Sequence, residues 1–154
     1  MHKRSNASDP TELIMTEVSP LSGIKPERGH LGLVVSTMGF VSQVKRETWF
    51  HWADVVQHHK FVICPWGHGL DTHRTWEVLL LGSFPVVRSS SLDSLYNGLP
   101  VLIVQQWKEI AVQMLASARH QFLSSSDIHQ EKLFFEYWQN LILAFQQIQM
   151  DIHA

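Results

Sequence analysis

The residues best suited to chemistry lie in one short segment, Pro65–Glu77, with the sequence PWGHGLDTHRTWE. Gly67 and Gly69 flank His68 where an apolar run gives way to a helical pattern. Glycine there lets backbone N–H groups turn toward a ligand and lets the ligand approach closely. The helix that follows offers unsatisfied N–H groups and the positive end of its dipole, which suits an anionic group such as a phosphate. Arg74 lies one turn into that helix, where its guanidinium can add a forked, charge-assisted contact. On a helical wheel at about 100° per residue, Arg74 and Glu77 share one face, with His73. Thr75, Leu79, Thr72, Trp76 and Leu80 fall on the other, expected to be buried. An arginine at a phosphate seat with a carboxylate one turn deeper suits a nucleotide. The arginine would meet the diphosphate, and the glutamate would accept hydrogen bonds from ribose hydroxyls. The same residues also admit a plain tight turn followed by an exposed ion pair.

Other reactive side chains form weaker patterns. His51, His58, His59, His68 and His73 lack a matching carboxylate cluster, so no metal site is expected. Cys64, the single cysteine, ends an apolar run and reads as a packing residue. It excludes an intrachain disulfide framework and a cysteine-rich zinc site. Ser89, Ser90 and Ser91 read as a polar exit from a strand, at an edge where they could contact a ligand.

The elements that must position this segment follow from hydrophobic patterning. KFVIC (60–64), FPVV (84–87) and PVLIV (100–104) are short, wholly apolar runs bounded by Pro, Gly or Ser, the pattern of buried parallel strands. LGLVV (31–35) predicts another strand. Residues 45–59 place Trp49, Trp52, Val55 and Val56 on one helical face. Helices are predicted over 71–81, with Asp71 or Thr72 as N-cap, and over 107–118. Residues 120–126 read as a polar linker and 89–100 as a loop with at most one helical turn. A long helix is expected over 128–152, on the recurrence of Phe134, Tyr137, Trp138, Leu141, Phe145, Ile148 and Ile152. Residues 1–30, broken by Pro10, Pro20 and Pro26, read as a mobile or loosely packed tail, with a short helical turn over 11–18. The expected organisation is therefore a tail (1–30), a Rossmann-like domain (31–126) and a C-terminal helix packed on it (127–154). The fold class is α/β, a parallel sheet with flanking helices. Ligands of such sheets bind at the carboxyl ends of the strands, which directs attention to the segment after KFVIC.

Composition narrows the choice. The 154 residues are 45% apolar and 17% charged, enough to bury one core. Twelve Lys and Arg stand against fourteen Asp and Glu, a formal net charge of −2, which argues against nucleic-acid binding through bulk charge. No apolar run is long enough to span a bilayer, and no secretory signal is evident at the N-terminus, so the chain reads as soluble.

FVICPWGHGLDTHRTWEVLLLGSFPVV, followed by LYNGLPVLIV and a tryptophan, resembles the C-terminal half of exostosin-like glycosyltransferases over about residues 45–115. The likeness rests on Pro65, Gly67, Gly69, Asp71, Arg74, Trp76, Glu77, Gly82 and Pro85, with Leu99 and Pro100 downstream. It implies the donor-binding half of a GT-B architecture, which takes a nucleotide sugar, commonly a UDP-sugar, and transfers the sugar to a hydroxyl acceptor. Gly67, His68 and Gly69 would form the turn beside the donor, together with Asp71. Arg74 would contact the diphosphate and Glu77 the ribose. Such enzymes generally work without a bound metal, and the nucleotide sugar is a substrate, so no cofactor is implied. The catalytic base would come from an N-terminal half. One such half fills the length available, so a fragment, or a half-enzyme completed by a partner domain, is implied. The resemblance also implies a Golgi or secretory setting, against the cytosolic look of the chain itself. The competing reading is a non-catalytic α/β module, derived from a transferase half, that acts by protein contacts or ligand binding.

Overall fold

A computed structural model describes residues 13–16, 41–44 and 48–152. Five strands form one parallel sheet: β1 (Leu13–Thr16), β2 (Val41–Val44), β3 (Phe61–Ile63), β4 (Phe84–Arg88) and β5 (Leu102–Val104). Their order across the sheet is β2-β1-β3-β4-β5. The helices among the described residues are α1 (Trp49–Gln57), α2 (His73–Leu80), α3 (Val112–Ser124) and α4 (Phe135–Ile152). The fold is thus α/β with a parallel sheet, compatible with a Rossmann-like layout. Strand order reverses between β1 and β3, and a crevice opens at such a switch point at the carboxyl ends of the strands.

The sequence dictates this layering through strands that are apolar on both sides. Phe61 and Ile63 face one way, into a cluster with Val86, Val104, Trp107, Ile110 and Leu115 that α3 covers. Val62 and Cys64 face the other way, into a cluster with Trp52, Val56, Val78, Leu79, Val87 and Tyr96 from α1, α2 and the loop beyond β4. Alternation of period two across two buried faces explains why these strands read as continuous apolar runs. Helix α1 is closed at both ends. Thr48 accepts a hydrogen bond from the backbone N–H of His51 at 3.2 Å. The buried Ser83 hydroxyl satisfies the carbonyls of Val56 and His59, both at 2.8 Å.

Several expectations are corrected. Leu13–Thr16 is a strand paired with both β1 neighbours, β2 and β3, where a helical turn in a loose tail was expected. The strand expected at 31–35 lies outside the described residues, and β2 forms at Val41–Val44. The helix expected over 107–118 divides into a 3-10 turn, Trp107–Glu109, and α3, because Ile110 and Ala111 are extended. Helix α3 then continues to Ser124 through the expected linker. Ser124 closes it by donating to the carbonyls of His120 and Gln121. The long final helix is likewise divided: a 3-10 turn, Gln130–Leu133, precedes α4, separated by the extended Phe134. The turn within 89–100 is a 3-10 helix, Asp93–Tyr96.

Candidate functional site

The β3–α2 connection encloses a cleft of about 320 Å³ lined by Pro65, Gly67, His68, Gly69, Asp71, Thr72, His73 and Arg74. Pro65 is buried where the strand ends, and His68, Gly69 and His73 are exposed. The Gly67 N–H donates to the Gly69 carbonyl at 3.1 Å, which folds the loop back on itself. Among the described residues the glycines with positive φ are Gly82 and Gly98, so Gly69 does not use the left-handed region. A Cβ on Gly69 would meet its nearest neighbour, the Asp71 carbonyl, at an ordinary 3.5 Å. Nothing among the described residues therefore demands glycine at 69.

Thr72 is the N-cap of α2, extended at φ −134°, ψ 144°, yet its side chain makes no capping hydrogen bond. Its hydroxyl oxygen is buried without a hydrogen-bond partner among the described residues. The first turn of α2 also carries no acidic residue. The Thr72 side chain thus gives this helix end no cap, and the first turn of α2 lines the cleft beside the Asp71 carboxylate.

Arg74 and Glu77 meet the same side chain, Trp52, which α1 brings to the sheet fully buried, with 0% exposure. The Arg74 guanidinium carbon lies 5.8 Å from the Trp52 ring centroid. The indole N–H donates to Glu77 Oε2 at 3.2 Å. The two residues therefore share one side of α2, as their spacing requires. Arg74 lines the cleft; Glu77 does not and sits one turn deeper. The buried side of α2 differs from the wheel, for Val78 joins Thr75 and Leu79 while Leu80 is exposed.

Asp71 has a positioning task. Its carboxylate accepts from the Trp76 indole at 2.9 and 3.1 Å and from the Tyr96 hydroxyl at 3.1 Å. Burial and the neighbouring Asp71 charge push the Tyr96 phenol above its usual range. Cys64, 2% exposed, has its thiol pushed up to about 12 by burial, with Arg74 partly offsetting this. A thiol so protonated packs and does not attack.

Arg88, at the end of β4, lies over Trp66, its guanidinium carbon 4.1 Å from the ring centroid. The serines after β4 are engaged in their own turn: Ser89 donates to Asp93 at 2.6 Å, and Asp93 accepts from the Ser90 backbone at 2.8 Å. The cleft thus gathers five of the six residues singled out from sequence: Gly67, His68, Gly69, Asp71 and Arg74. The site contacts of Trp52, Tyr96 and the Arg88–Trp66 pair escaped sequence reasoning, which saw Trp52 only as part of a helical face. Their contacts span about twenty residues or more, and no local pattern marks them. Among the described residues no group of three or more His, Cys, Asp or Glu could hold a metal ion. No described helix is long and apolar enough to cross a membrane.

No protein-family model matches the chain, and no curated protein matches it.

Proposed function

We propose that the chain is the donor-binding domain of an exostosin-like glycosyltransferase, one half of a GT-B enzyme. The observation that carries this reading is the uncapped N-terminus of α2. It opens on a cleft at the carboxyl edge of the sheet, with Arg74 in its wall and the Thr72 hydroxyl unsatisfied beside it. Gly69 supports it, since an incoming diphosphate would account for a glycine that no described residue requires. The diphosphate of a nucleotide sugar, most readily a UDP-sugar, sits against the first turn of α2 and Arg74. Glu77 then lies one turn deeper, on the side where a ribose would follow. A cleft of about 320 Å³ is near the small end for ligand sites, so it takes the diphosphate and leaves the sugar outside, toward the acceptor. Transfer to a hydroxyl would draw its base from a partner half. The helix dipole and Arg74 would stabilise the departing diphosphate.

Titration calorimetry with UDP and UDP-sugars tests this. The wild type binds, and Arg74→Ala binds about ten- to a hundredfold more weakly, the loss of a hydrogen bond to a charged group. Equal affinity in the two proteins, or none in either, removes the assignment. A second reading, a module acting by protein contacts, draws on the exposed apolar residues of α4. Absent nucleotide affinity would leave that reading standing.

A further inference from the structure

The β3–α2 cleft holds more than one group able to carry positive charge. Arg74 lines it, and so does His73, the first residue of α2. The two are neighbours about 100° apart on the helix, so their side chains reach the same opening from different depths. Arg74 is half-buried, its guanidinium carbon 5.8 Å from the buried Trp52 ring. His73 is exposed. Arg74 thus serves the inner part of the cleft and His73 its mouth.

The groups around His73 leave its charge to be set by a ligand. Among the described residues no hydrogen bond or ion pair engages its ring. The first turn of α2 carries no acidic residue. Asp71 and His68 line the cleft from the loop. The Asp71 carboxylate is taken up by the Trp76 indole and the Tyr96 hydroxyl. Glu77, deeper on α2, accepts from the Trp52 indole of α1. Arg88, at the end of β4, is held over Trp66. Cys64, beneath the loop, is a buried thiol and carries no charge near neutrality.

We infer that His73 is a second, switchable cation of this cleft, which meets the diphosphate as an imidazolium beside Arg74, so that donor binding tightens as pH falls below neutrality. The inference rests on the donor reading above and adds to it a binding residue and a regulation. Imidazole is the side chain that ordinarily changes charge between about pH 5 and 8. A diphosphate esterified at both ends carries one negative charge on each phosphate. Arg74 offers one positive charge, and protonated His73 offers the other, each through a charge-assisted hydrogen bond. In the empty cleft the positive end of the α2 dipole opposes a proton on His73; a bound anion favours one. Binding therefore takes up a proton, and affinity rises as the proton becomes available.

Titration calorimetry with UDP-glucose at about pH 5.5 and about pH 8 tests the inference, because a doubly esterified diphosphate keeps its charge over the range in which imidazole titrates. The wild type binds roughly three- to tenfold more tightly at the lower pH. His73→Gln, which can donate a hydrogen bond but holds no charge, binds at both values as the wild type does at the higher one. His73→Lys, charged throughout, binds tightly at both. His68→Gln keeps the difference between the two values. Position 73 is exposed, and circular dichroism at both pH values checks that each variant is folded. Equal wild-type affinity at the two values, with Arg74→Ala still weakening binding, overturns the inference and leaves the donor reading in place. A difference that survives in His73→Gln, or that vanishes in His68→Gln, overturns it likewise. Absence of binding at either pH overturns both.

Discussion

Cys64 and Arg74 show how neighbouring side chains take different tasks. Cys64 keeps its proton because the sheet and α2 exclude water from it, while Arg74 reaches the cleft. The thiol is raised in the folded chain from 9.0 to about 12. Above pH 9 the unfolded chain releases this proton and the folded chain retains it. The contribution to stability is therefore complete below pH 9 and is lost as pH rises toward 12. Cys64→Ala is expected to flatten this limb of the stability curve, measured by urea unfolding across the alkaline range. Native Cys64 should also alkylate far more slowly than the same residue in urea; equal rates would remove the account. The packing role of Cys64 was legible from its place at the end of an apolar run. The shared side of Arg74 and Glu77 was legible from spacing. The anchor that orients both was not, for Trp52 arrives from another helix, 25 residues before Glu77.

At the scale of elements, two glycines differ in an instructive way. Gly82 ends the α2 turn with φ +82° and has open space around its Cβ position. Gly98, at φ +75°, is pressed against His129, and an added Cβ would strike the imidazole. The turn at 97–98 also holds the 3-10 helix Gln130–Leu133: the His129 N–H donates to the Gly98 carbonyl at 2.7 Å, and Lys132 to that of Asn97 at 2.6 Å. Gly82→Ala should therefore cost about 1–2 kcal/mol of backbone strain. Gly98→Ala should cost a further 1–3 kcal/mol or so, because the imidazole must move. Urea midpoints of the two variants check the order; equal losses would mean that His129 yields freely. Helix α1 and strands β3, β4 and β5 were legible because both faces of each central strand are apolar. Strand β1 was not: four residues between Pro10 and Pro20 carry no periodicity to recognise, and pairing on both edges makes them a strand. The last turns of α3 were hidden by polar residues that face outward.

For the whole molecule, the α/β class and the cleft at the carboxyl edge were legible, because a parallel sheet leaves few places for a ligand. How α4 divides its length was not, since its stripe has one period from Trp138 to Ile148 whether or not a neighbour covers it. Asp71 joins these scales. It lines the cleft, holds the Trp76 indole, and Trp76 touches Trp138 at the root of α4. The floor of the cleft is thereby wired to two natural fluorophores. An anion that settles beside Asp71 alters the field at the Trp76 ring, so titrating UDP should shift or quench intrinsic emission without any label. The change should shrink in Trp76→Phe, leaving what Trp52 beside Arg74 reports. Emission that stays constant while calorimetry reports saturation would place the nucleotide elsewhere.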